Sequence, residues 1–185
     1  MSSHTDTQLM IQVREGELQK LALLFERHHV TLFNFYVRQT RDRDLSEDFV
    51  QEVFMRIMKY RHTFRGEGEF LPWMYHIARN VQIDHARKWG RETQLDEEIH
   101  ESVDDSLVPS EHVEHLENVS MLEKALGKLS KDKREVLILS RYQNMKYTVI
   151  AELLGCTVEV VKVRVHRAMN DLRKIYFELA VEQPL

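Results

Sequence analysis

The sequence has few of the residues that cross-link chains or interrupt helices. Its 185 residues include one cysteine, three prolines and six glycines. The single cysteine, Cys156, can form neither an internal disulfide nor a cysteine-based zinc site, which predicts a reducing compartment, the cytoplasm. So little glycine and proline excludes collagen-like chains and disfavours β-sandwiches, which need many tight turns. The composition therefore favours long helices.

Long hydrophobic runs are also absent. No stretch of about 18 apolar residues occurs, so we expect no membrane insertion. The first residues, MSSHTDTQLMIQVREGE, lack the basic start and apolar core of a secretory signal. The sequence contains no glycine-rich phosphate loop, no Ser/His/Asp order and no paired-acid signature. It therefore predicts a globular protein without a recognisable catalytic or cofactor-binding motif.

Charge is distributed unevenly along the chain. Residues 1–91 contain 14 Lys and Arg against 12 Asp and Glu, and residues 121–185 contain 12 against 8. Residues 92–119 contain ten acids and no Lys or Arg. The net charge of -4 therefore conceals two mildly basic segments joined by an acidic one. The acidic segment is interpreted as a solvated linker or, alternatively, as a segment that enters a basic channel made for nucleic acid.

Apolar residues recur at three- and four-residue steps, which predicts helices. Before the acidic segment the pattern covers residues 18–36, 45–58 and 72–89, with Asp44 and Glu47 placed as a capping pair and Pro72 in a first turn. After it, Ser130 is a candidate cap. The predicted helices of that half cover 121–129, 131–139, 147–154 and 157–176. No hairpin signal is present. The sequence predicts an all-α fold with two helical domains, 1–91 and 120–185, joined by an acidic linker at 92–119.

Residues 148–168 have the layout of a helix-turn-helix. Ala151 is small enough for a close helix crossing, Gly155 can adopt a positive φ in the turn, and Thr157 can cap the second helix. Val158, Val161 and Val165 are expected to face inward. The outward face carries three cations and would fit the major groove of duplex DNA. The alternative is an ordinary helical hairpin with a solvated basic face.

A second motif joins a glycine loop, residues 65–69, to an aromatic-rich helix with a basic end. Aromatic side chains near Arg and Asn are typical of proteins that read unpaired bases. Alternatively, the aromatic residues Phe70, Trp73 and Tyr75 belong to the core, and the cations only complement a helix C-terminus. The spacing of Trp73 with Ile77 and Val81 favours the core for Trp73.

These motifs occur in a specific order. Asp-x-x-Glu-Asp-x-x-Gln-Glu-x-Phe at 44–54 is followed by Phe-Arg-Gly at 64–66 and by Trp-x-x-x-Ile-Ala-x-Asn at 73–80. The acidic segment comes next, and then the helix-turn-helix ending His-Arg-Ala at 166–168. In combination they resemble the extracytoplasmic-function (ECF) group of bacterial RNA polymerase sigma factors, in the sigma-70 family. The resemblance covers roughly residues 20–91 and 120–176.

For the first domain the resemblance implies sigma region 2, which binds core polymerase and the promoter minus-ten element. The residues expected to bind the clamp helices of the β′ subunit are Asp44, Glu47, Asp48, Gln51, Glu52 and Arg56. The residues expected to capture a flipped base are Arg65, Gly66, Glu67, Gly68 and Asn80. The residues expected to hold nearby phosphates are Arg79, Arg87, Lys88 and Arg91.

For the second domain the resemblance implies sigma region 4, which contacts the polymerase β flap and the minus-thirty-five element. The expected DNA contacts are Thr157, Glu159, Lys162, Val163, Arg164, His166 and Arg167. The acidic linker would run toward the active-site cleft and the RNA exit path. An anti-sigma factor is an expected partner, and the free protein is expected to be a monomer.

Three positions depart from the family pattern. Glu159 stands where many members have Gly, Val163 where Ser is common, and Val149 where an acid is frequent. These departures leave the minus-thirty-five preference open, because Glu159 could repel a phosphate or accept a hydrogen bond from cytosine.

Two other classes of function are weighed against this one. The first is a repressor or activator that binds duplex DNA as a dimer through the C-terminal helices. The second is a metal-dependent hydrolase using His112 and His115, which are three residues apart. Because the spacing His-Glu-x-x-His is absent, the sequence predicts no metal site.

Overall fold

The structure, a computed structural model, describes residues 4–92 and 113–182, with the side chains of 4–89 and 119–181. Eight α-helices follow one another in these ranges: α1 Asp6–Arg14, α2 Lys20–Thr40, α3 Arg43–Tyr60, α4 Phe70–Glu92, α5 Val113–Lys128, α6 Lys131–Leu137, α7 Tyr147–Leu154 and α8 Val158–Glu182. A 3-10 turn, Arg61–Thr63, follows α3, and a π-helical turn, Ile138–Tyr142, follows α6. No strand occurs in the described ranges, which confirms the predicted all-α class.

The chain divides into two compact units. The first comprises Met1–Tyr36 and Arg43–Ser102, and the second comprises Val37–Asp42 and Val103–Leu185. Most of the predicted acidic linker, residues 93–112, lies outside the described residues. The ends of that linker as predicted, Glu92 and residues 113–119, belong to α4 and α5. No helix in the described part of the chain has the length and hydropathy needed to cross a bilayer.

Aromatic side chains from three helices form the core of the first unit. Phe35 and Tyr36 of α2 make edge-to-face contacts with Tyr75 of α4 and Phe49 of α3, at ring-centre distances of 5.3 and 5.0 Å. The Tyr36 hydroxyl donates to the Ala78 carbonyl at 2.8 Å. Burial raises the pKa of both Tyr36 and Tyr75. These contacts fix α4 against α2 and α3.

The first helix, α1, was not predicted from the hydrophobic pattern. Its signal is a capping box: the Thr5 hydroxyl accepts from the Gln8 amide N–H, and the Gln8 side chain accepts from the Thr5 N–H. Its apolar face, Leu9, Met10 and Val13, is fully buried. The helix is short, so its stability depends on this burial.

Several helix ends differ from the predicted bounds. Helix α5 begins at Val113 rather than at residue 121, and α2 continues past residue 36 to Thr40. Helix α4 begins at Phe70 rather than at Pro72; Pro72 still lies in the first turn, where its missing N–H costs no hydrogen bond. Helix α8 continues past Tyr176 to Glu182. No Gly or Pro interrupts the sequence before Pro184, so nothing in it stops the helix earlier.

In the second unit, α5, α6 and α7 pack against α8. The turn between α5 and α6 is closed by Arg134, whose guanidinium donates to the Gly127 carbonyl at 2.6 Å and to the Leu129 carbonyl at 3.0 Å. Ser130 occupies the N-cap position of α6, as predicted, but its side chain makes no capping hydrogen bond. An ion pair between Lys133 and Asp171 joins α6 to α8.

Candidate nucleic-acid and protein-binding surfaces

The turn between α7 and α8 has helix-turn-helix geometry. Gly155 adopts left-handed angles, φ 62° and ψ 41°, as the sequence predicted. The Cys156 amide donates to the Ala151 carbonyl at 2.9 Å, and Ala151 is buried. The Thr157 hydroxyl accepts from the Val160 amide at 3.4 Å, so it caps α8. This turn fixes the direction in which α8 leaves α7.

One side of α8 is buried and the other is open to solvent. Val161 and Val165 are buried as predicted, whereas Val158 is only half-buried. All seven positions expected to contact DNA are exposed: Thr157, Glu159, Lys162, Val163, Arg164, His166 and Arg167. Val163 is 48% exposed, although its side chain is apolar and its neighbours on this face are polar. The structure therefore presents these residues together on one surface.

Glu159 lies in the first turn of this surface. Its own backbone N–H donates to the carboxylate and lowers the pKa, and the Thr157 hydroxyl and Lys162 lower it further. The side chain therefore remains ionised at neutral pH and is a hydrogen-bond acceptor only.

The glycine loop of the first unit lies between two buried aromatic rings. Phe64 and Phe70, at its two ends, are 3% and 1% exposed, and their rings meet edge-to-face at 6.3 Å. Trp73 is half-buried against Phe64 at 5.2 Å. Phe70 and Tyr75 are thus core residues, whereas Trp73, for which the spacing favoured the core, is only half-buried. The loop residues Arg65, Glu67, Gly68 and Glu69 are exposed.

Helix α4 carries a polar face that continues away from this loop. Asn80, Arg87 and Lys88 are exposed, at spacings that place them on one side of the helix. Arg79 is half-buried, and the side chain of Arg91 lies outside the described residues. Asn80 follows Phe70 by ten residues, about 15 Å along the helix axis.

Trp89 is a candidate contact that the sequence motifs missed. It is 57% exposed and stacks on His85 at 5.9 Å. Its neighbours Arg87 and Lys88 are exposed cations. An aromatic residue within a basic cluster is the signal that would have identified it.

The polymerase-binding candidates lie on α3. Asp44, Glu47, Asp48 and Gln51 are exposed and opposite the buried stripe of that helix. Glu52 and Arg56 are partly buried and engaged within the unit. Arg56 donates to Glu52 at 2.6 Å through Nε and to Asp84 of α4 at 2.6 Å through Nη1. The structure therefore brings four of the six residues to the open surface. Of the other two, Arg56 joins α3 to α4 and Glu52 pairs with Arg56 within α3.

An apolar groove adjoins this acidic face, between α2 and α3. It has a volume of about 300 Å³. Its lining residues are Phe25, His29, Val30, Phe33, Arg43, Glu47, Val50 and Gln51. Phe25 and Val30 are 40% and 55% exposed. Contiguous exposed apolar side chains are typical of protein interfaces.

A second groove, of about 490 Å³, lies between α5 and α8. Its lining residues are Val119, Leu122, Met169, Leu172, Arg173, Tyr176 and Phe177. Phe177 is 60% exposed. Sequence periodicity did not predict either groove, because an exposed apolar side chain at a helical spacing looks like a core position.

Of the two histidines considered as metal ligands, His112 is not among the described residues, and the side chain of His115 is not described. Within the described part of the chain, no group of three or more His, Cys, Asp or Glu side chains is arranged to hold a metal ion.

Both units match known protein families. The Sigma-70 region 2 family model matches residues 24–92, and the Sigma-70, region 4 model matches residues 120–172. The ECF RNA polymerase sigma factor SigX of Bacillus subtilis is 32% identical over 166 residues, which cover 87% of this chain and 85% of SigX. The RNA polymerase sigma factor CarQ of Myxococcus xanthus is 28% identical over 94% of this chain and 98% of its own. Among solved structures, the sigma factor RpoE of Bartonella quintana, in complex with the anti-sigma factor NepR, matches with a TM-score of 0.71 and 27% identity, over 88% of this chain and 98% of that one.

Proposed function

Because this chain belongs to the ECF sigma factors of the sigma-70 family, we propose that it binds core RNA polymerase and directs it to promoters through two separate DNA surfaces. The observation that carries the proposal is the exposed polar face of α8, which follows a left-handed glycine turn inside the region 4 match. A sigma factor of this kind catalyses no reaction itself. It acts in the cytoplasm, where polymerase and promoter are.

The first unit supplies the polymerase contact. The exposed acidic face of α3 (Asp44, Glu47, Asp48 and Gln51) would bind the clamp helices of the β′ subunit, and the neighbouring groove between α2 and α3 would receive apolar side chains. Arg56 supports this surface by joining α3 to Asp84 of α4, and Glu52 pairs with Arg56 within α3. Charge would then guide the encounter, and apolar burial would slow dissociation.

The same unit would help to separate the two DNA strands at the minus-ten element. The loop 65–69 and Asn80 would receive bases that leave the stack, while Arg79, Arg87, Lys88 and Arg91 would hold the phosphates of the separated strand. Trp89 adds a ring on which a base can stack, an interaction of about 1–3 kcal/mol. Unstacking a base costs a few kcal/mol, so several weak contacts along α4 are needed.

The second unit reads duplex DNA. Helix α8 would enter the major groove at the minus-thirty-five element, with Thr157, Glu159, Lys162, Val163, Arg164, His166 and Arg167 facing bases and phosphates. Two cations of this face, Lys162 and Arg164, are suited to guanine edges or phosphates, and the ionised carboxylate of Glu159 to the cytosine amino group. The groove between α5 and α8 would bind the β flap.

Regulation by an anti-sigma factor is part of the proposal. The Bartonella quintana sigma factor that this chain resembles was solved with the anti-sigma factor NepR. The two exposed apolar grooves are surfaces that an inhibitor would cover in competition with polymerase. We further propose two domains, predicted at 1–91 and 120–185, and a monomeric free protein. The acidic segment predicted at 92–119 would run into the polymerase cleft, with its ends, Glu92 and residues 113–119, belonging to α4 and α5.

Run-off transcription with purified core polymerase on a random promoter library tests the proposal. We expect transcripts that start downstream of one pair of sequence elements and that require this protein. Core polymerase alone is the control. If the protein gives no specific transcripts but binds duplex DNA as a dimer, it is a repressor or activator and the proposal is wrong.

A further inference from the structure

Helix α1 contacts the loop expected to receive promoter bases, although the two are far apart in sequence. The Arg14 Nη1 atom donates to the Phe64 carbonyl at 3.0 Å and to the Arg65 carbonyl at 3.1 Å. One guanidinium nitrogen carries two N–H groups, so a single atom can serve both acceptors. The region 2 match begins at residue 24, and α1 lies before it.

A second contact joins α1 to the same loop at its glycine. Gly66 has a φ of +80°, and a Cβ built there would lie 3.1 Å from Cδ1 and 3.3 Å from Cγ1 of Ile11. Those distances are tighter than ordinary carbon contacts. Ile11 therefore lies directly against the backbone of the loop where the chain is in a left-handed conformation.

Helix α1 is itself firmly held, so it can act as a support. Leu9, Met10 and Val13 are fully buried. Asp6 pairs with Arg27 of α2 at 2.7 Å and with His28 of α2 at 2.8 Å. Because both α1 and the aromatic ends of the loop are anchored, the hydrogen bonds from Arg14 fix the start of the loop at two successive carbonyls.

We propose that Arg14, together with Ile11, is a positioning residue that holds loop 64–69 in the conformation that receives an unpaired promoter base. The inference rests on the function proposed above and adds to it a helix outside the region 2 match. A loop that is already ordered loses less conformational entropy when a base enters it. Loss of Arg14 should therefore weaken promoter opening more than duplex binding.

The test uses the full-length protein with Arg14→Ala, Arg14→Lys and a control, Lys20→Ala. Lys20 is a cation at the start of α2 that pairs with Glu17 at 3.9 Å. Hydrogen exchange of the free protein is measured for residues 64–69. We expect exchange about 3- to 10-fold faster in Arg14→Ala, the effect of losing hydrogen bonds of ordinary strength. Arg14→Lys should recover part of the protection, and Lys20→Ala should match the wild type.

The second measurement separates opening from binding. With core polymerase, we expect Arg14→Ala to reduce minus-ten opening, followed by 2-aminopurine fluorescence, about 3- to 10-fold more than it reduces duplex promoter binding. Thermal melting reports whether the fold is intact. If Arg14→Ala unfolds at a lower temperature than the wild type, promoter opening and duplex binding are compared for Arg14→Lys instead.

Three outcomes would overturn the inference: unchanged exchange in residues 64–69, an equal loss of opening and binding, or the same effects in Lys20→Ala. If the wild-type protein opens no promoter with core polymerase, the proposed function is wrong, and so is the inference that Arg14 assists promoter opening. The exchange measurement still decides, separately, whether Arg14 holds the loop.

Discussion

Asn80 and Arg164 are exposed polar side chains on helices whose opposite faces are buried. Replacing either one removes a candidate DNA contact without opening a cavity, since neither lies in the core. The two proposed DNA surfaces can therefore be tested separately by single substitutions.

Asn80→Ala is expected to impair promoter opening more than initial binding. An amide that hydrogen-bonds a flipped base acts only after the base has left the stack. We expect opening to fall about 10-fold, as for the loss of a hydrogen bond to a buried base, with duplex affinity nearly unchanged. Permanganate reactivity of unpaired thymines measures opening, and Gln19→Ala is the control because it removes an exposed amide outside both surfaces. Equal losses in opening and binding would contradict this role.

Arg164→Ala is expected to weaken binding to duplex promoter DNA about 10-fold, because a specific arginine contact is worth about 1–3 kcal/mol. The matched control is Lys174→Ala, which removes a 77% exposed cation farther along the same helix. Binding is compared at two salt concentrations, on the preferred and a scrambled minus-thirty-five sequence. A loss confined to the preferred sequence indicates base reading, and a uniform loss indicates a phosphate contact. Unchanged affinity at moderate salt would count against α8 as the recognition helix.

Among the structural elements, the turn between α7 and α8 depends on the left-handed backbone conformation of a single residue. Gly155 has a φ of 62°, and a Cβ added there would meet no atom within 4 Å. A side chain at this position is therefore disfavoured by its own backbone and not by crowding. This makes the conformational cost of the turn directly measurable.

Gly155→Ala is expected to destabilise the protein by about 1–2 kcal/mol, the cost of the left-handed conformation for an L-residue. Gly155→Asn should lose less, since Asn tolerates that conformation. Gly68→Ala is the control, because Gly68 also has open space around it but no positive φ. Urea unfolding followed by circular dichroism measures the change. A Gly155→Ala protein as stable as Gly68→Ala would show that the turn is not left-handed in solution.

At the scale of the whole molecule, the acidic face of α3 and the polar face of α8 belong to different units. The proposed function needs both, because polymerase binding and promoter recognition must occur in one protein. A change on the α3 face should then affect polymerase binding and leave DNA binding by α8 unchanged.

Asp48→Lys is expected to reduce affinity for core polymerase about 10-fold, because reversing a charge in a complementary interface costs on the order of 1–2 kcal/mol or more. Glu17→Lys reverses an exposed charge away from α3 and serves as the control. Co-migration with core enzyme on size exclusion and duplex binding by the free protein are the two measurements. Equal effects of the two variants, or a loss of duplex binding by Asp48→Lys, would contradict the assignment of the α3 face to polymerase.

The all-α class, the helix-turn-helix and the exposed side of α8 could be predicted from the order of the amino acids. Those features depend on residues close together in the chain: a hydrophobic period, Gly155 in the turn and Thr157 at the cap. The family order of motifs added the expected roles of the α3 and α4 residues.

Which of the polar residues pair within a unit and which are open to solvent could be seen only in the folded protein. Arg56 meets Asp84 across two helices, and Arg14 meets the loop at Phe64 and Arg65, fifty residues later. The apolar grooves likewise need two helices each. Such contacts join residues distant in sequence, so no local period or spacing encodes them; they exist only once burial of the apolar faces has brought the helices together.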